Sequence, residues 1–431
     1  MVADDVTGAN DIGTMFAKHG YRVVVYSDYA GLTRGELEGH GVQVCILNTE
    51  SRYDPPAEAY VKVRAATARL KEFGCSLYIK KTCSVFRGNV GAELDAMADE
   101  LGIAFSLLVA AFPNNGRQTL HGYHFVHGVL LADSAFAADP VHPTRESNLA
   151  RVVEAQSGRR VEIIHLEDVR AGKSGLAARI AEVRRIAGYA LCDALDNRDL
   201  EQIAEVAAGE AMLGGSSAIA EFLPPFLPER PAGRPAPEVK VPAGQGILVV
   251  AGSVTPQTRA QSEHLVALGW PVVTLNSLDL LVPAERAVTV TAAAERLQEA
   301  LAGGKNALLR VTNSREEVQA TKGRGRQLGL SEVETSRAIS LALAETTERV
   351  VRALDLKGLV VAGGDTAAMV LGRLGITGNF VLEEIEPGVP SGRTLGARRM
   401  LVVLKSGSFG RPEFLEKAVR HLRALSGRSD G

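Results

Sequence analysis

Short apolar runs alternate with helical segments along almost the whole chain, and this alternation constrains the fold more than any other feature. The run Leu359–Ala362 is an example: it has the length of a buried strand, Gly363 and Gly364 end it, and apolar residues then recur at helical spacing. Buried strands that are joined by helices form parallel sheets. The pattern therefore predicts an α/β fold.

Seven prolines interrupt this pattern between residues 223 and 243. Neither a helix interior nor a central strand tolerates such a density of proline, so this segment is predicted to be a linker. The sequence thus indicates two Rossmann-like α/β domains with largely parallel sheets. We expect a first domain over residues 1–222, a Pro-rich linker over 223–243 and a second domain over 244–431.

Opposite charges are nearly balanced, with 48 Lys plus Arg against 50 Asp plus Glu. A chain without a basic field has no electrostatic attraction to nucleic acid or to an anionic membrane. No apolar run approaches the roughly 18 residues that span a bilayer. We therefore expect a cytoplasmic protein with neither a nucleic-acid nor a membrane partner.

Three carboxylates, Asp4, Asp5 and Asp11, lie at the first predicted strand-to-helix turn. In open parallel sheets, ligands bind beyond the carboxyl ends of the strands. Clustered carboxylates there can accept bonds from sugar hydroxyls, act as a general base or hold Mg²⁺. Helix capping is the alternative, and it explains one aspartate better than three.

A basic segment follows a later strand and contains Lys80, Lys81, Ser84 and Arg87. Its cations suit a carboxylate or a phosphate, although a solvated basic loop is equally consistent with the bare pattern. The polar loop 110–119 follows the next strand and suits a polyol. His121, His124 and His127 come soon after, but no carboxylate motif completes a metal site, and structural or surface roles are favoured.

Three glycine- and hydroxyl-bearing turns follow strands of the second domain. They contain, in order, Ser253; Gly363, Gly364, Asp365 and Thr366; and Lys405, Ser406 and Gly407. Such turns direct backbone N–H groups and a helix dipole at a phosphate. Together they predict a polyphosphate ligand, and hence a nucleotide. The basic segment 321–329 is interpreted as a mobile solvated loop, with phosphate contact as the alternative.

Ten motifs stand in the order found in four-carbon acid sugar kinases, which the chain resembles over nearly its whole length. They are ADDVTGAND (3–11), TESR (49–52), KKTCSVFRGNVGAE (80–93), AFPNNGRQTLHG (111–122), DPVHPTRESNL (139–149), CDALDNRDL (192–200), GSVTPQT (252–258), GGDTA (363–367), EPGVP (386–390) and KSGSFG (405–410). The resemblance implies an enzyme that phosphorylates threonate, erythronate or 3-oxo-tetronate with ATP.

In that family the first domain binds the acid sugar and the second binds the nucleotide. Carried over by motif, the substrate-facing residues are Asp4, Asp5, Asp11, Arg52, Lys81, Ser84 and Arg87, and the ATP-facing residues are Ser253, Gly363, Gly364, Asp365, Thr366, Lys405 and Gly407. The basic motif departs from the usual family pattern, because Cys83 and Val85 replace an Asp and a Thr. This change leaves the identity of the acid open.

The residues and the resemblance both point to phosphoryl transfer. We hypothesise that a carboxylate of the Asp4, Asp5 and Asp11 group takes the hydroxyl proton, with Asp365 as a rival base or metal ligand. Arg52, Lys81 and Arg87 would hold the acid's carboxylate, and Lys405 and Mg²⁺ would neutralise phosphoryl charge as two lobes close. The expectation includes a small-molecule acid sugar as partner and allows for a homodimer. The alternatives are a sugar-acid sensor without kinase chemistry and a dehydrogenase. The sequence has no G-x-G-x-x-G motif with a following acidic residue after a strand, which disfavours the dehydrogenase.

Overall fold

The computed structural model of the chain describes residues 1–139, 142–228, 245–396 and 398–427. The chain divides into two compact units, Met1–Arg234 and Pro235–Gly431. This division falls inside the predicted Pro-rich linker, of which residues 229–243 lie outside the described residues. The first residues of the predicted linker form a single 3-10 turn at Pro224–Phe226.

The first unit alternates strands and helices from its start. Its elements are β1 (Val2–Ala3), α1 (Val6–Ala17), β2 (Val23–Tyr26), α2 (Arg34–Gly39), β3 (Val44–Asn48), α3 (Pro56–Glu72), β4 (Tyr78–Lys81), α4 (Val90–Leu101), β5 (Ser106–Val109), β6 (Arg117–Leu120), β7 (Tyr123–Val126), β8 (Val129–Leu130), α5 (Leu149–Glu154), β9 (Val161–Ile164), α6 (Leu166–Val169), α7 (Gly172–Val183), β10 (Tyr189–Cys192), α8 (Asn197–Ala207), β11 (Met212–Gly215) and α9 (Ala218–Phe222).

Eight strands of the first unit form one sheet in the order β2-β3-β1-β4-β11-β5-β10-β9. All of its pairings are parallel, so the strand carboxyl ends meet at one edge. The two-residue strand β1 lies between β3 and β4, which places Asp4 and the basic segment at neighbouring strand ends. Strands β6, β7 and β8 form a separate antiparallel sheet.

The second unit continues the alternation and adds a long hairpin. Its elements are β12 (Gln245–Ala251), α10 (Pro256–Ala267), β13 (Val272–Leu275), α11 (Pro283–Ala302), β14 (Ala307–Val311), α12 (Arg315–Gln327), α13 (Glu332–Ala353), β15 (Leu356–Ala362), α14 (Gly364–Arg373), β16 (Ile376–Glu386), β17 (Val389–Gly396), β18 (Leu401–Lys405) and α15 (Phe414–Gly427).

Strands of the second unit follow the order β13-β14-β12-β15-β18-β17-β16. The pairings from β13 to β18 are parallel, whereas β17 pairs antiparallel with both β18 and β16. Strands β12, β15 and β18 are therefore adjacent, and each is followed by one of the three predicted phosphate-type turns. A core of buried side chains, including Val249, Val360 and Val403, packs against α15.

The predicted α/β fold with largely parallel sheets is confirmed. The sequence analysis did not predict β11, the sheet β6–β8 or the hairpin β16–β17, whose turn carries Gly388 at φ 77°. The loop predicted over residues 321–329 is wrong, because α12 continues to Gln327. A Cβ on Gly325 would lie 2.3 Å from Oγ1 of Thr335, so this glycine permits two helices to pack closely.

Among the described residues, no helix combines the length and the apolar character that crossing a bilayer requires.

Candidate functional site

The start of α1 in the first unit is built on a buried ion-pair network around Arg52. The Arg52 guanidinium donates from Nε and Nη2 to the two oxygens of Asp4, at 2.7 and 3.0 Å, and from Nη1 to Asp5 at 2.5 Å. Asp5 also caps α1 by accepting a bond from Gly8 N at 2.7 Å. Burial raises the pKa of Asp4, but Arg52 and Lys80 outweigh this and lower it to about 2. Asp4 is therefore ionised, and both aspartates already accept hydrogen bonds from Arg52.

Asp11 lies one and a half turns further along α1 and is also buried. Its Oδ2 accepts a hydrogen bond from Ser217 Oγ at 2.5 Å and lies 3.7 Å from Lys81 Nζ. This cation contact is much longer than those of Asp4 and Asp5 with Arg52. A buried carboxylate that a hydroxyl group holds in place is a candidate general base.

The two neighbouring lysines of β4 have different surroundings. Lys80 is fully buried and forms an ion pair with the equally buried Glu93, at 2.9 Å. Ser51 donates a second bond to Glu93 at 2.5 Å. The ammonium group of Lys80 is thus held in the core by Glu93, and its contact with substrate remains a prediction. The ammonium nitrogen of Lys81 instead lies 3.7 Å from Oδ2 of Asp11.

Cys83 occupies the position where the family pattern has an aspartate, and it retains a link to the neighbouring cation. The Nε of Arg87 donates to Cys83 Sγ at 3.3 Å, and Nη1 of Arg87 pairs with Asp139 at 2.7 Å. Burial raises the pKa of the Cys83 thiol, but Arg87 and Arg52 outweigh burial, so the pKa lies below its usual value. Ser84, next in the chain, is half-buried.

Arg117 lies within the motif at 111–122 but is not among the predicted site residues. It begins β6, is 5% exposed, and its Nε has no hydrogen-bond partner among the described residues. Burial lowers the pKa of Arg117, whereas electrostatic interactions with Cys83 and Asp11 act to raise it. Arg117 therefore lies close enough to Cys83 and Asp11 to interact with them electrostatically. Arg117 and Arg87 both approach the ring of Phe136, at 5.9 and 5.3 Å.

The three predicted turns of the second unit meet at one point. A Cβ on Gly252 would lie 2.0 Å from Oγ1 of Thr366, and a Cβ on Gly407 would lie 2.2 Å from Oγ of Ser253. Gly363 packs against Ser253 in the same way, with 3.2 Å from its ideal Cβ to the Ser253 nitrogen. Each turn thus supplies a glycine at a position where a side chain would collide with another turn.

Helix α14 begins at these turns without a side-chain cap, because the preceding residue is Gly363, at φ 125°. Its first turn contains Gly364, the half-buried Asp365 and the buried Thr366. An uncapped first turn leaves N–H groups and the positive end of the helix dipole for an anion. On the next strand end, Ser406 is half-buried beside Gly407.

Lys405 is predicted to face the nucleotide directly, but its ammonium group is buried beneath the third turn. Its Nζ donates to Thr258 Oγ1 at 3.1 Å and to the carbonyl oxygens of Ser406, Gly407 and Phe409 at 2.8, 3.0 and 3.0 Å. Burial lowers the pKa of Lys405 to about 7. The ammonium group of Lys405 therefore holds the carbonyl groups of the third turn, and its role in binding the nucleotide remains a prediction.

The three clustered histidines differ in environment. His124 is fully buried and bonds Thr119 through Nδ1 at 3.1 Å, and burial lowers its pKa to about 3. This agrees with the structural role favoured for His124. His121 and His127 are exposed.

Each of the two units matches the model of a known domain family. Residues 1–223 match the model of a sugar-binding N-terminal domain, and residues 248–415 match that of a nucleotide-binding C-terminal domain. The chain belongs to the four-carbon acid sugar kinase family. A 3-oxo-tetronate kinase of Pseudomonas savastanoi pv. phaseolicola is 32% identical over 433 residues, which cover 98% of this chain and 96% of the relative. A D-threonate kinase of Salmonella typhimurium is 30% identical over 434 residues, covering 99% and 98%.

Solved structures of similar proteins match this chain over nearly its whole length. A Salmonella typhimurium LT2 protein, solved under the provisional description of a tRNA synthase, superposes with a TM-score of 0.81 at 28% identity and covers 97% of this chain and 98% of its own. A Haemophilus influenzae protein of a family without assigned function gives a TM-score of 0.72 at 27% identity, covering 98% and 99%. Both support the same two-domain α/β fold.

Proposed function

We propose that this protein is an ATP-dependent kinase that phosphorylates a hydroxyl group of a four-carbon acid sugar of the threonate, erythronate or 3-oxo-tetronate type. Membership of the family supports the reaction class, and the named relatives support the substrate class. The two groups of residues described above supply the chemistry that such a reaction needs, namely a site for a hydroxy acid and a site for a polyphosphate.

The observation that carries this proposal is the meeting of the turns after β12, β15 and β18. Three adjacent parallel strands end in glycines at positions where a Cβ on Gly252, Gly363 or Gly407 would contact a neighbouring turn. Such a surface consists of backbone, so a phosphate can approach its N–H groups closely. The uncapped start of α14 adds the helix dipole at the same place. Two helix starts and a third turn that converge in this way fit a polyphosphate better than a single anion.

In the first unit, we assign the substrate's carboxylate to Arg117 and Lys81, with Arg87 beside them. Arg117 has a buried Nε without a hydrogen-bond partner among the described residues, whereas Arg52 already donates three hydrogen bonds to Asp4 and Asp5. An unsatisfied buried donor costs stability unless a ligand completes it. Arg52 therefore acts through Asp4 and Asp5, by fixing the start of α1.

We assign the general base to Asp11. Its Oδ2 accepts a hydrogen bond from Ser217 and lies 3.7 Å from Lys81 Nζ, so the carboxylate is held in place beside the basic segment. A carboxylate so placed can accept the proton of a substrate hydroxyl as that oxygen attacks phosphorus. Lys81 then stabilises the ionised Asp11 in the resting enzyme.

In the second unit, the glycine turns and the first turn of α14 would hold the phosphates of ATP, and Lys405 would keep the third turn in shape. Asp365 would bind Mg²⁺, since this ion takes one or two protein carboxylates together with substrate phosphates. The bound ion would neutralise charge on the transferred phosphoryl group. Asp365 is half-buried in the first turn of α14, next to the proposed phosphate position.

ATP consumption with a panel of acids tests the proposal. Purified protein, ATP and Mg²⁺ are mixed with D-threonate, L-threonate, erythronate or 3-oxo-tetronate, and ADP release is followed in a coupled assay. We expect turnover with at least one four-carbon acid, and little with three-carbon glycerate or five-carbon xylonate.

The matched control is Asp11→Asn, which should bind ATP normally and release ADP at least about 100-fold more slowly than the parent. A protein that binds ATP and a four-carbon acid but never releases ADP would overturn the kinase assignment in favour of a sensor. Turnover equal to the parent in Asp11→Asn would overturn the role of Asp11 alone.

A further inference from the structure

The ends of β9 and β10 and the turn of the β6–β7 hairpin bring together two histidines and an aspartate. His121 lies in the hairpin turn, His165 directly follows β9, and Asp193 directly follows β10. One ligand atom from each of these three residues falls within 4.8 Å of the others. Neither the family match nor the proposed kinase reaction assigns a function to this group.

We propose that His121, His165 and Asp193 bind a late first-row divalent metal ion, with Zn²⁺ as the representative. The Nδ1 atoms of His121 and His165 are 3.4 Å apart, and Nδ1 of His165 is 3.9 Å from Oδ2 of Asp193. Tetrahedral ligands at about 2.0–2.1 Å from zinc lie roughly 3.3–3.4 Å from one another. The pair of histidines already has that spacing, and the carboxylate oxygen lies about half an ångström beyond it.

The carboxylate is fixed before any metal arrives. Asp193 is fully buried, its Oδ1 accepts a bond from Gly122 N at 2.9 Å, and its Oδ2 accepts one from His121 N at 2.7 Å. A carboxylate has about four acceptor positions, so lone pairs remain for a metal. Burial raises the pKa of Asp193, and a bound cation would offset that cost.

Backbone bonds also fix the elements that carry these ligands. Thr119 of β6 exchanges two backbone hydrogen bonds with Ala194, at 2.9 and 3.0 Å, and Asp193 N donates to Ile164 O at 3.0 Å. Rigid supports of this kind favour a metal site, because little order has to be gained on binding. His121 is exposed and His165 is partly exposed, so water can occupy a fourth position.

The chemical types of the three ligands determine which metal ions suit the site. Two imidazoles and one carboxylate suit Zn²⁺, Co²⁺, Ni²⁺ or Cu²⁺, whereas Mg²⁺ and Ca²⁺ prefer oxygen ligands alone. The site is thus distinct in chemistry from the Mg²⁺ assigned to Asp365. A metal here would tie the hairpin that begins with Arg117 to the ends of β9 and β10.

Zinc titration of the full chain without an affinity tag tests the site, after chelation and removal of the chelator. Competition with a chromophoric chelator in excess Mg²⁺ should show one zinc per chain, bound with a Kd in the micromolar range or tighter. His121→Ala and His165→Ala should each weaken binding at least tenfold. The control His127→Ala, in the same small sheet but outside the cluster, should bind like the parent.

X-ray absorption of the zinc-loaded parent keeps the test decisive even if a variant fails to fold. Imidazole and oxygen scattering without sulfur supports the site, whereas a sulfur shell would assign the zinc to a cysteine and overturn it. The absence of stoichiometric binding, or binding that survives in the double variant His121→Ala/His165→Ala, would also overturn the proposal. None of these readouts depends on kinase activity.

Discussion

Replacing Gly407 with Ala tests whether the three turns form one nucleotide cradle. The new Cβ would lie 2.2 Å from Ser253 Oγ, whereas real Cβ atoms essentially never approach closer than 3.0 Å. One turn must therefore move by at least about 0.8 Å, or Ser253 must rotate and give up its hydrogen bonds with Thr255, which are 3.1 Å to Oγ1 and 3.3 Å to the backbone N. Gly407 is not at positive φ, so the backbone itself accepts alanine.

The expected loss follows from these two responses. Losing one hydrogen bond costs about 1 kcal/mol, and overpacking costs about 1–3 kcal/mol. A displacement near 1 Å at a site of this kind can reduce activity roughly 100-fold. We expect the Kd for ATP, measured by calorimetry, to rise about 10- to 100-fold, which corresponds to about 1.4–2.7 kcal/mol of binding free energy.

Two controls separate this mechanism from general damage. Gly372→Ala lies in α14 where nothing is within 4 Å of the new Cβ, so ATP binding should not change. In a Ser253→Ala background the colliding oxygen is absent, and Gly407→Ala should then weaken binding less than about threefold. Equal ATP affinity in the parent and in Gly407→Ala, or the same loss with and without the Ser253 oxygen, would refute the reasoning.

Three further predictions concern single charged groups. Asp11→Asn should lower kcat about 10²- to 10⁴-fold without changing the Kd for ATP, as initial rates and calorimetry would show. Because burial lowers the pKa of Lys405 to about 7, ATP affinity should fall as pH rises through 7, and Lys405→Met should flatten the profile between pH 6 and 9. Because the pKa of Asp4 is lowered to about 2, its ion pairs should contribute about 2 kcal/mol of stability above pH 4 that is lost as pH falls through 2. Scanning calorimetry of Asp4→Asn and the parent at pH 5 to 2 measures this, and a constant difference would contradict it.

Features set by local backbone chemistry could be predicted from the sequence. The turns at Gly252 and Gly363 were predicted because a strand, a glycine and a helix start are adjacent in the chain, and the turn at Gly407 because hydroxyl residues and glycines directly follow a strand. Helix α12 was missed because its two glycines predict a loop, whereas in the fold Gly325 allows contact with Thr335. The hairpin β16–β17 was missed because its strands do not alternate with helices.

Features set by distant residues could not be predicted. Lys80 and Lys405 were assigned to ligands by their position after or near a strand end, and only the fold shows that Glu93 and a group of carbonyl oxygens surround them. His121 and Asp193 are 72 residues apart and meet only through the order of the strands. The sequence signal for Arg117 was present, as an arginine directly after a turn glycine, but its unsatisfied Nε appears only in three dimensions. The homodimer remains a prediction.

The contrast between Lys80 and Lys81 affects how a survey of substitutions across this enzyme would be interpreted. Successive side chains of a strand point to opposite faces, so Lys80 is paired with Glu93 in the core, whereas Lys81 lies beside Asp11 and is proposed to contact the substrate. A growth-based screen would score both positions as intolerant and could not tell them apart. Measuring the abundance of the protein in the cell together with growth would separate them. Lys80 variants should be unstable and lost from the cell, whereas Lys81 variants should accumulate as inactive protein.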